Sequence, residues 1–247
     1  MENFKKKIII KLGRSIVTNE DNNLNIELFT QLARQIKELQ SRNFGVILVV
    51  SGAVIIGKKR FNNLSLNLHK GLLASLGQIT LSCEIDSIFS DVDLMTGQVL
   101  FTKSDFDDKV KIKQLKEIVN EAFKNNIILV FNENDAVELN TFYGNDFLAS
   151  KLAQVINANN LILLTDVEGV MDKNMHVLNN LKKSEINHIA NIKKQNSKGQ
   201  IGGMKAKIQA ALKARKSGIE SIIAHGKTED ILTRLFINKE NIGTEIL

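Results

Sequence analysis

The segment Gly199-Gln200-Ile201-Gly202-Gly203-Met204-Lys205-Ala206-Lys207 is the sharpest chemical signal in the chain. Glycines ahead of a helix start let the backbone wrap an anion closely, and the free N–H groups there favour negative charge. Lys205 and Lys207, in the first turn, oppose the helix dipole, and a polyphosphate at this end would resolve the conflict. The spacing is not that of a Walker A loop, and a flexible loop with a basic helix start would use the same residues. Lys11, followed by Gly13, offers a second point charge beside a close backbone approach; a tight turn next to a surface lysine is the plainer alternative. Ser51-Gly52-Ala53-Val54 sets a capping-type residue and a glycine at another helix start. Asn132-Glu133-Asn134-Asp135 follows a run of buried-type residues. Its amide and carboxylate groups suit an amino-acid head group, whose ammonium needs oxygen acceptors, and equally an Asx-rich loop. Tyr143-Gly144-Asn145-Asp146 stands directly before a helix. Thr165-Asp166-Val167-Glu168-Gly169, with Asp172, gathers three acids in a nucleotide-binding turn or a solvated loop more readily than in a metal site.

These segments must be positioned by the elements around them. Lys7–Leu12, Val46–Val50, Ile127–Phe131, Leu161–Leu164 and Ile219–Ala224 are continuous apolar runs, the pattern of parallel strands buried on both faces. Ile26, Phe29, Leu32, Ala33, Ile36 and Leu39 form one face of a helix with Asn25 as N-cap. Further helical segments cover roughly 68–90, 109–125, 146–158 and 203–217. Strand–helix alternation of this kind predicts a three-layer αβα sandwich around a mainly parallel sheet. Ligands in such sheets bind outside the carboxyl ends of the strands, where each polar segment above begins. The polar stretch from Lys182 to Gly199 reads as loops plus one short helix.

Composition narrows the function classes. The 247 residues fit a single domain, and 43% are hydrophobic, enough for a sizeable core. A lone cysteine, Cys83, gives no disulfide framework and implies a reducing, cytoplasmic setting. The apolar run Ile8–Ile10 is too short for a signal segment or membrane span, and no later apolar run approaches 18 residues. The net charge of +6 is spread out and aromatics are only 5%, which argues against single-strand nucleic-acid binding and suits an anionic small substrate. His69, His176, His188 and His225 lack metal-ligand spacing, so no protein-held metal is expected. Proline is absent, so turns must rely on Gly, Asn and Asp.

Taken in order, Lys11-Leu12-Gly13, Val49-Val50-Ser51-Gly52-Ala53-Val54, Leu76-Gly77-Gln78, Gly97-Gln98-Val99-Leu100-Phe101-Thr102, Asn132-Glu133-Asn134-Asp135-Ala136-Val137, Asn145-Asp146, Leu163-Leu164-Thr165-Asp166, Gly202-Gly203-Met204 with Lys207, and Gly243-Thr244 resemble the glutamate 5-kinase branch of the amino acid kinase superfamily. The resemblance spans essentially the whole chain. It implies ATP-dependent phosphorylation of the γ-carboxylate of L-glutamate, the first step of proline synthesis, with Mg²⁺ carried by the nucleotide. On its terms Lys11, Lys207 and Asp146 are catalytic, the acid orienting the two lysines. Ser51, Gly52, Asp135 and Asn145 bind glutamate. Lys11, Thr165, Asp166, Gly202, Gly203, Met204 and Lys207 bind the nucleotide. The N-terminal half would hold the acceptor and roughly 160–247 the nucleotide, in a homodimer or a dimer of dimers. Many relatives carry a C-terminal PUA domain, and the form expected here is the one without it.

Some positions depart from the family pattern: Arg14 after the first lysine motif, Tyr143-Gly144 before Asn145, Gln200-Ile201 before the paired glycines, and Gln114 where an Asn is usual. Two other readings therefore stay open. One is a kinase of the same fold acting on another small acid or a phosphate or phosphonate acceptor. The other is a catalytically weakened ligand-binding homologue.

Overall fold

Strands apolar at every position need cover on both faces. The computed structural model, which describes residues 6–61, 68–138, 144–185 and 203–247, provides it. β4 (Ile127–Glu133), β2 (Phe44–Val50), β1 (Lys6–Leu12), β5 (Asn160–Thr165) and β7 (Glu220–His225) lie side by side in that order at the centre of one eight-stranded sheet. These are the five apolar runs, four of them a residue or two longer than the runs themselves and β7 shifted by one residue. β3 (Met95–Phe101) closes one edge, and β8 (Thr244–Ile246) followed by β6 (Asn180–Leu181) closes the other. Neighbouring strands pair in parallel except β7 with β8. The parallel register brings Leu12, Val50, Glu133 and Thr165 to one edge of the sheet.

Alternation along the strands divides the core in two. Ile8, Ile10 and Leu12 of β1 pack in one cluster with residues of α1 (Arg14–Val17), α2 (Ile26–Ser41), α3 (Ala53–Phe61), α4 (Lys70–Ser90) and α8 (Ile231–Phe236). Ile9 joins Ile47, Val49 and Phe131 in the other, under α5 (Lys109–Lys124), α6 (Asn145–Val155) and α7 (Met204–Arg215). The result is the expected αβα sandwich. Asn25 caps α2, its side chain accepting from the Leu28 N–H at 3.2 Å. α6 stops short of the expected residue 158 because Asn157 takes φ +52° and breaks the helix. With no proline, Asn22, Asn43, Asn126, Asn157, Asp93 and Asp230 supply left-handed turns.

Three strands fall outside the apolar runs. β3 is an edge strand with Met95 and Gln98 exposed, so no continuous hydrophobic run is required of it. β6 and β8 are two and three residues long. Residues 186–202, including most of the Lys182–Gly199 stretch, Gln200, Ile201 and Gly202, lie outside the described residues, as does Tyr143.

α4 departs from expectation in another way. It is 21 residues long, and its mean hydropathy over 18 residues reaches 1.2, enough by length and composition to cross a bilayer. Gly71, Ala74, Gly77, Leu81, Ile85 and Phe89 form its buried face against the sandwich, while Leu72 and Ile79 are exposed and 33% of that stretch is buried. The α3–α4 contact is unusually close. A Cβ on Gly77 would lie 1.8 Å from the Ala53 carbonyl oxygen, and one on Gly57 would lie 1.9 Å from that of Leu73. Backbone meets backbone here, which fixes the Ser51-Gly52 loop relative to Gln78.

Gly77→Ala should therefore overpack this crossing and cost about 1–3 kcal/mol of stability, read as a fall in the denaturation midpoint. An unchanged midpoint would mean that the two helices separate freely.

Candidate active site

Lys11 shares the parity of Ile9 on β1, so its side chain enters the layer of α5, α6 and α7 rather than that of α2 and α4. Two helix starts meet it there. Asp146 is the second residue of α6 and Lys207 the fourth of α7. The Asp146 carboxylate takes Lys11 Nζ on Oδ1 at 2.7 Å and Lys207 Nζ on Oδ2 at 3.1 Å. All three side chains are buried, with residue exposures of 4%, 2% and 6%. The helices are tied one turn further along, where Ser150 Oγ donates to the Ala210 carbonyl at 2.8 Å. Gly13 completes the corner. A Cβ there would sit 3.3 Å from the Leu164 carbonyl oxygen and 3.9 Å from Lys207 Nζ, so the bare backbone leaves this approach open.

Burial alone would raise the Asp146 carboxyl, but the charges of Lys11 and Lys207 hold it below its ordinary value, and it stays ionised. Burial pushes the Lys11 ammonium down to about 8; Asp146 opposes this and the like charge of Lys207 adds to it. Two buried cations share the Asp146 carboxylate, and the charge of Lys207 also acts on Asp166; an anionic ligand would meet preorganised positive charge here. Asp166 stands past the end of β5. Burial opposes its ionisation, but hydrogen bonds from its own backbone N–H, Thr165 and Ser15, with the charge of Lys207, hold its carboxyl below the usual range. The Thr165 hydroxyl donates to it at 3.0 Å.

A second polar cluster adjoins the first through Asn145. The Asn145 Nδ2 amide lies 2.9 Å from Ser51 Oγ, 2.7 Å from Asn132 Oδ1 and 3.1 Å from the Val50 carbonyl. Asn132 in turn donates to Gln78 Oε1 at 2.7 Å. Asn145 Oδ1 is buried and has no hydrogen-bond partner among the described residues. An orphaned acceptor of this kind suits a ligand donor. Gly144 before it takes φ +110°, a conformation open to glycine, and this sets the start of α6 so that Asn145 and Asp146 both turn inward. Asp135 lies half-buried in the turn after β4, its carbonyl oxygen 3.0 Å from where a Cβ on Gly71 would stand.

The structure thus gathers Lys11, Asp146, Lys207, Asn145, Ser51, Thr165 and Asp166 at the carboxyl edge of the sheet. Gly52 follows Ser51 in the chain, and Asp135 lies in the turn after β4, three residues beyond Asn132. Gly203 is the N-cap of α7 and Met204 its first residue, while Gly202 falls outside the described residues. Among the departures from the family pattern, Arg14 and Gln114 are exposed on their helices. In the sequence, Asn132 stands out with the Asn132-Glu133-Asn134-Asp135 segment but without a role of its own, and Gln78 has none beyond the resemblance. Gln78 interrupts an apolar helix face (Ala74, Leu81, Ile85), and that break in pattern was the available signal.

Residues 6–225 match the Amino acid kinase family. A glutamate 5-kinase of Caldanaerobacter subterraneus subsp. tengcongensis is 35% identical, over 98% of this chain and 68% of its own length. One from Shewanella oneidensis is 34% identical, over 97% of this chain and 67% of its own. A delta-1-pyrroline-5-carboxylate synthase 2 of Oryza sativa subsp. japonica is 33% identical over 97% of this chain and 36% of its own length. Among solved structures, a carbamate kinase from Giardia lamblia bound to AMP-PNP superposes with a TM-score of 0.71, covering 98% of each chain at 16% identity, a likeness of fold.

The electrostatics predict that one lysine titrates early. Following lysine Cε signals by NMR against pH, the Lys11 resonance should show a midpoint near 8 rather than 10.5. Above that pH the site loses one positive charge. A midpoint at the ordinary lysine value would contradict its burial beside Lys207.

Proposed function

Because the chain belongs to the amino acid kinase family and, within it, to the glutamate 5-kinases, we propose that the Lys11–Asp146–Lys207 cluster transfers the γ-phosphoryl group of ATP to the γ-carboxylate of L-glutamate. The product is glutamyl 5-phosphate, the first intermediate of proline synthesis. The observation that carries this reading is the pair of buried ammoniums held on one ionised carboxylate.

The chemistry asks little of acid–base groups. A carboxylate is already a nucleophile. Its oxygen forms the new bond to phosphorus while the bond to the β,γ-bridging oxygen breaks, and ADP departs with that electron pair. No proton moves. The barrier lies in bringing two anions together and in stabilising charge on the moving group. Lys11 and Lys207 supply preorganised positive charge, and Asp146 fixes where they point. Mg²⁺, carried on the ATP phosphates, adds further neutralisation there.

On the acceptor side, the orphaned Asn145 Oδ1 supports binding of the substrate ammonium, with Ser51, Gly52 and Asp135 completing the glutamate site. Thr165, Asp166, Gly202, Gly203 and Met204 hold the nucleotide with the two lysines. Acceptor binding thus belongs to the N-terminal half of a single domain, and nucleotide binding to roughly 160–247. The lone cysteine, an exposed free thiol at Cys83, supports a cytoplasmic setting. Exposed Leu72, Ile79 and Met95 along α4 and edge strand β3 support a homo-oligomer.

With Mg-ATP and hydroxylamine, the protein should release ADP in a glutamate-dependent way and form the hydroxamate of a trapped acyl phosphate. Release with aspartate, N-acetylglutamate, carbamate or a phosphonate instead of glutamate would overturn the acceptor. Lys207→Ala should lower kcat by about 10²–10³-fold with a smaller effect on the KM for glutamate. An unchanged kcat would remove Lys207 from the transfer step.

A further inference from the structure

Away from the site described above, the outer face of the α6–α7 pair forms a basic cavity that the kinase reaction does not use. Half open to solvent, it has a volume of about 500 Å³ between the turn that follows β3, α6 and the C-terminal end of α7. Four lysines line it, Lys103, Lys151, Lys213 and Lys216, against a single acid, Asp107. Phe106 and Phe147 form its apolar wall.

The charge is not incidental to one helix end. Lys213 and Lys216 complement the dipole at the end of α7, but Lys151 lies mid-helix and has no such reason to be there. Phe147, Lys151 and Gln154 follow at spacings of four and three, so they share one face of α6 and turn it toward the cavity. α7 carries no acidic residue from Met204 to Arg215. Among the described residues, no carboxylate forms an ion pair with Lys151, Lys213 or Lys216. The Lys213 ammonium instead rests 4.5 Å from the centroid of the Phe147 ring. Phe106 is fixed in turn by an edge contact with Phe101, their centroids 5.0 Å apart. Repelling cations gathered over a rigid aromatic wall are completed by a ligand with negative charge and a flat apolar part. The volume falls within the range of small organic ligands, roughly 300–1,000 Å³.

We propose that this cavity is an effector site for a small organic polyanion of nucleoside-phosphate size. The two helices that form it also carry the catalytic cluster. Asp146 lies about 8 Å along α6 from Lys151, and Lys207 about 9 Å along α7 from Lys213, at 1.5 Å per residue. A ligand bridging Lys151 to Lys213 and Lys216 clamps α6 against α7, and so acts on the spacing of Asp146 and Lys207. The inference rests on the kinase reading only for its turnover readout; binding is measured separately.

The test uses GMP as probe, titrated by calorimetry with the reaction site filled by Mg²⁺ and AMP-PNP, and guanosine as the uncharged control. The comparison is a variant carrying Lys151→Ala, Lys213→Ala and Lys216→Ala, with Lys213→Glu alone as a second. GMP should bind the native protein, guanosine should not, and the triple variant should weaken GMP by about tenfold or more. GMP should also change kcat of the native protein and leave that of the triple variant unaltered. No GMP binding by the native protein, or binding that survives both variants, would overturn the site. Binding without any change in kcat would overturn its effector role.

Discussion

A single buried carboxylate between two buried ammoniums is the interaction on which this structure turns. Lys11, Asp146 and Lys207 come from three elements, and each would be costly to bury alone. Asp146 can be buried as an anion because two cations flank it, and the cations tolerate each other because it stands between them. Burial pushes the Lys11 ammonium down to about 8, Asp146 opposing this and the like charge of Lys207 adding to it. A polyphosphate at this corner would meet positive charge already in place.

The rest of the fold can be understood as what holds these three groups at one point. The parallel central strands bring β1, β2, β4 and β5 to a common edge, so their terminal polar residues converge. Alternation on β1 aims Lys11 into the α6–α7 layer. Gly144, at φ +110°, starts α6 where Asn145 and Asp146 can both face inward. The close glycine crossing of α3 and α4 sets Gln78 in reach of Asn132, which passes the constraint to Asn145 and thence to Asp146 by chain continuity. The lysine cluster and the Asn145 cluster are thus coupled through adjacent residues of one helix, which on the proposed reading would hold the two anionic substrates together.

Much of this was legible in the sequence. The five central strands declared themselves because burial on both faces demands unbroken apolar runs. The start of α7 stood out because lysines there work against the helix dipole. β3 was not legible in the apolar runs, since an edge strand with an exposed face needs none. The role of Asp146 was harder still. Its partners lie far along the chain, Lys207 being 61 residues away, and nothing local to Gly144-Asn145-Asp146 says which lysines it meets. Resemblance supplied the expectation that Asp146 meets Lys11 and Lys207, and the structure pairs it with both. The Asn132–Gln78 bond spans 54 residues, and only the fold shows that these two polar side chains satisfy each other.

The most direct test of the account is the steady-state kinetics of Asp146→Asn with Mg-ATP and L-glutamate. If the carboxylate positions both lysines for phosphoryl transfer, kcat should fall by about 10²–10³-fold while the KM for glutamate changes little. A kcat close to that of the native protein would contradict the claim that this ion cluster carries the reaction.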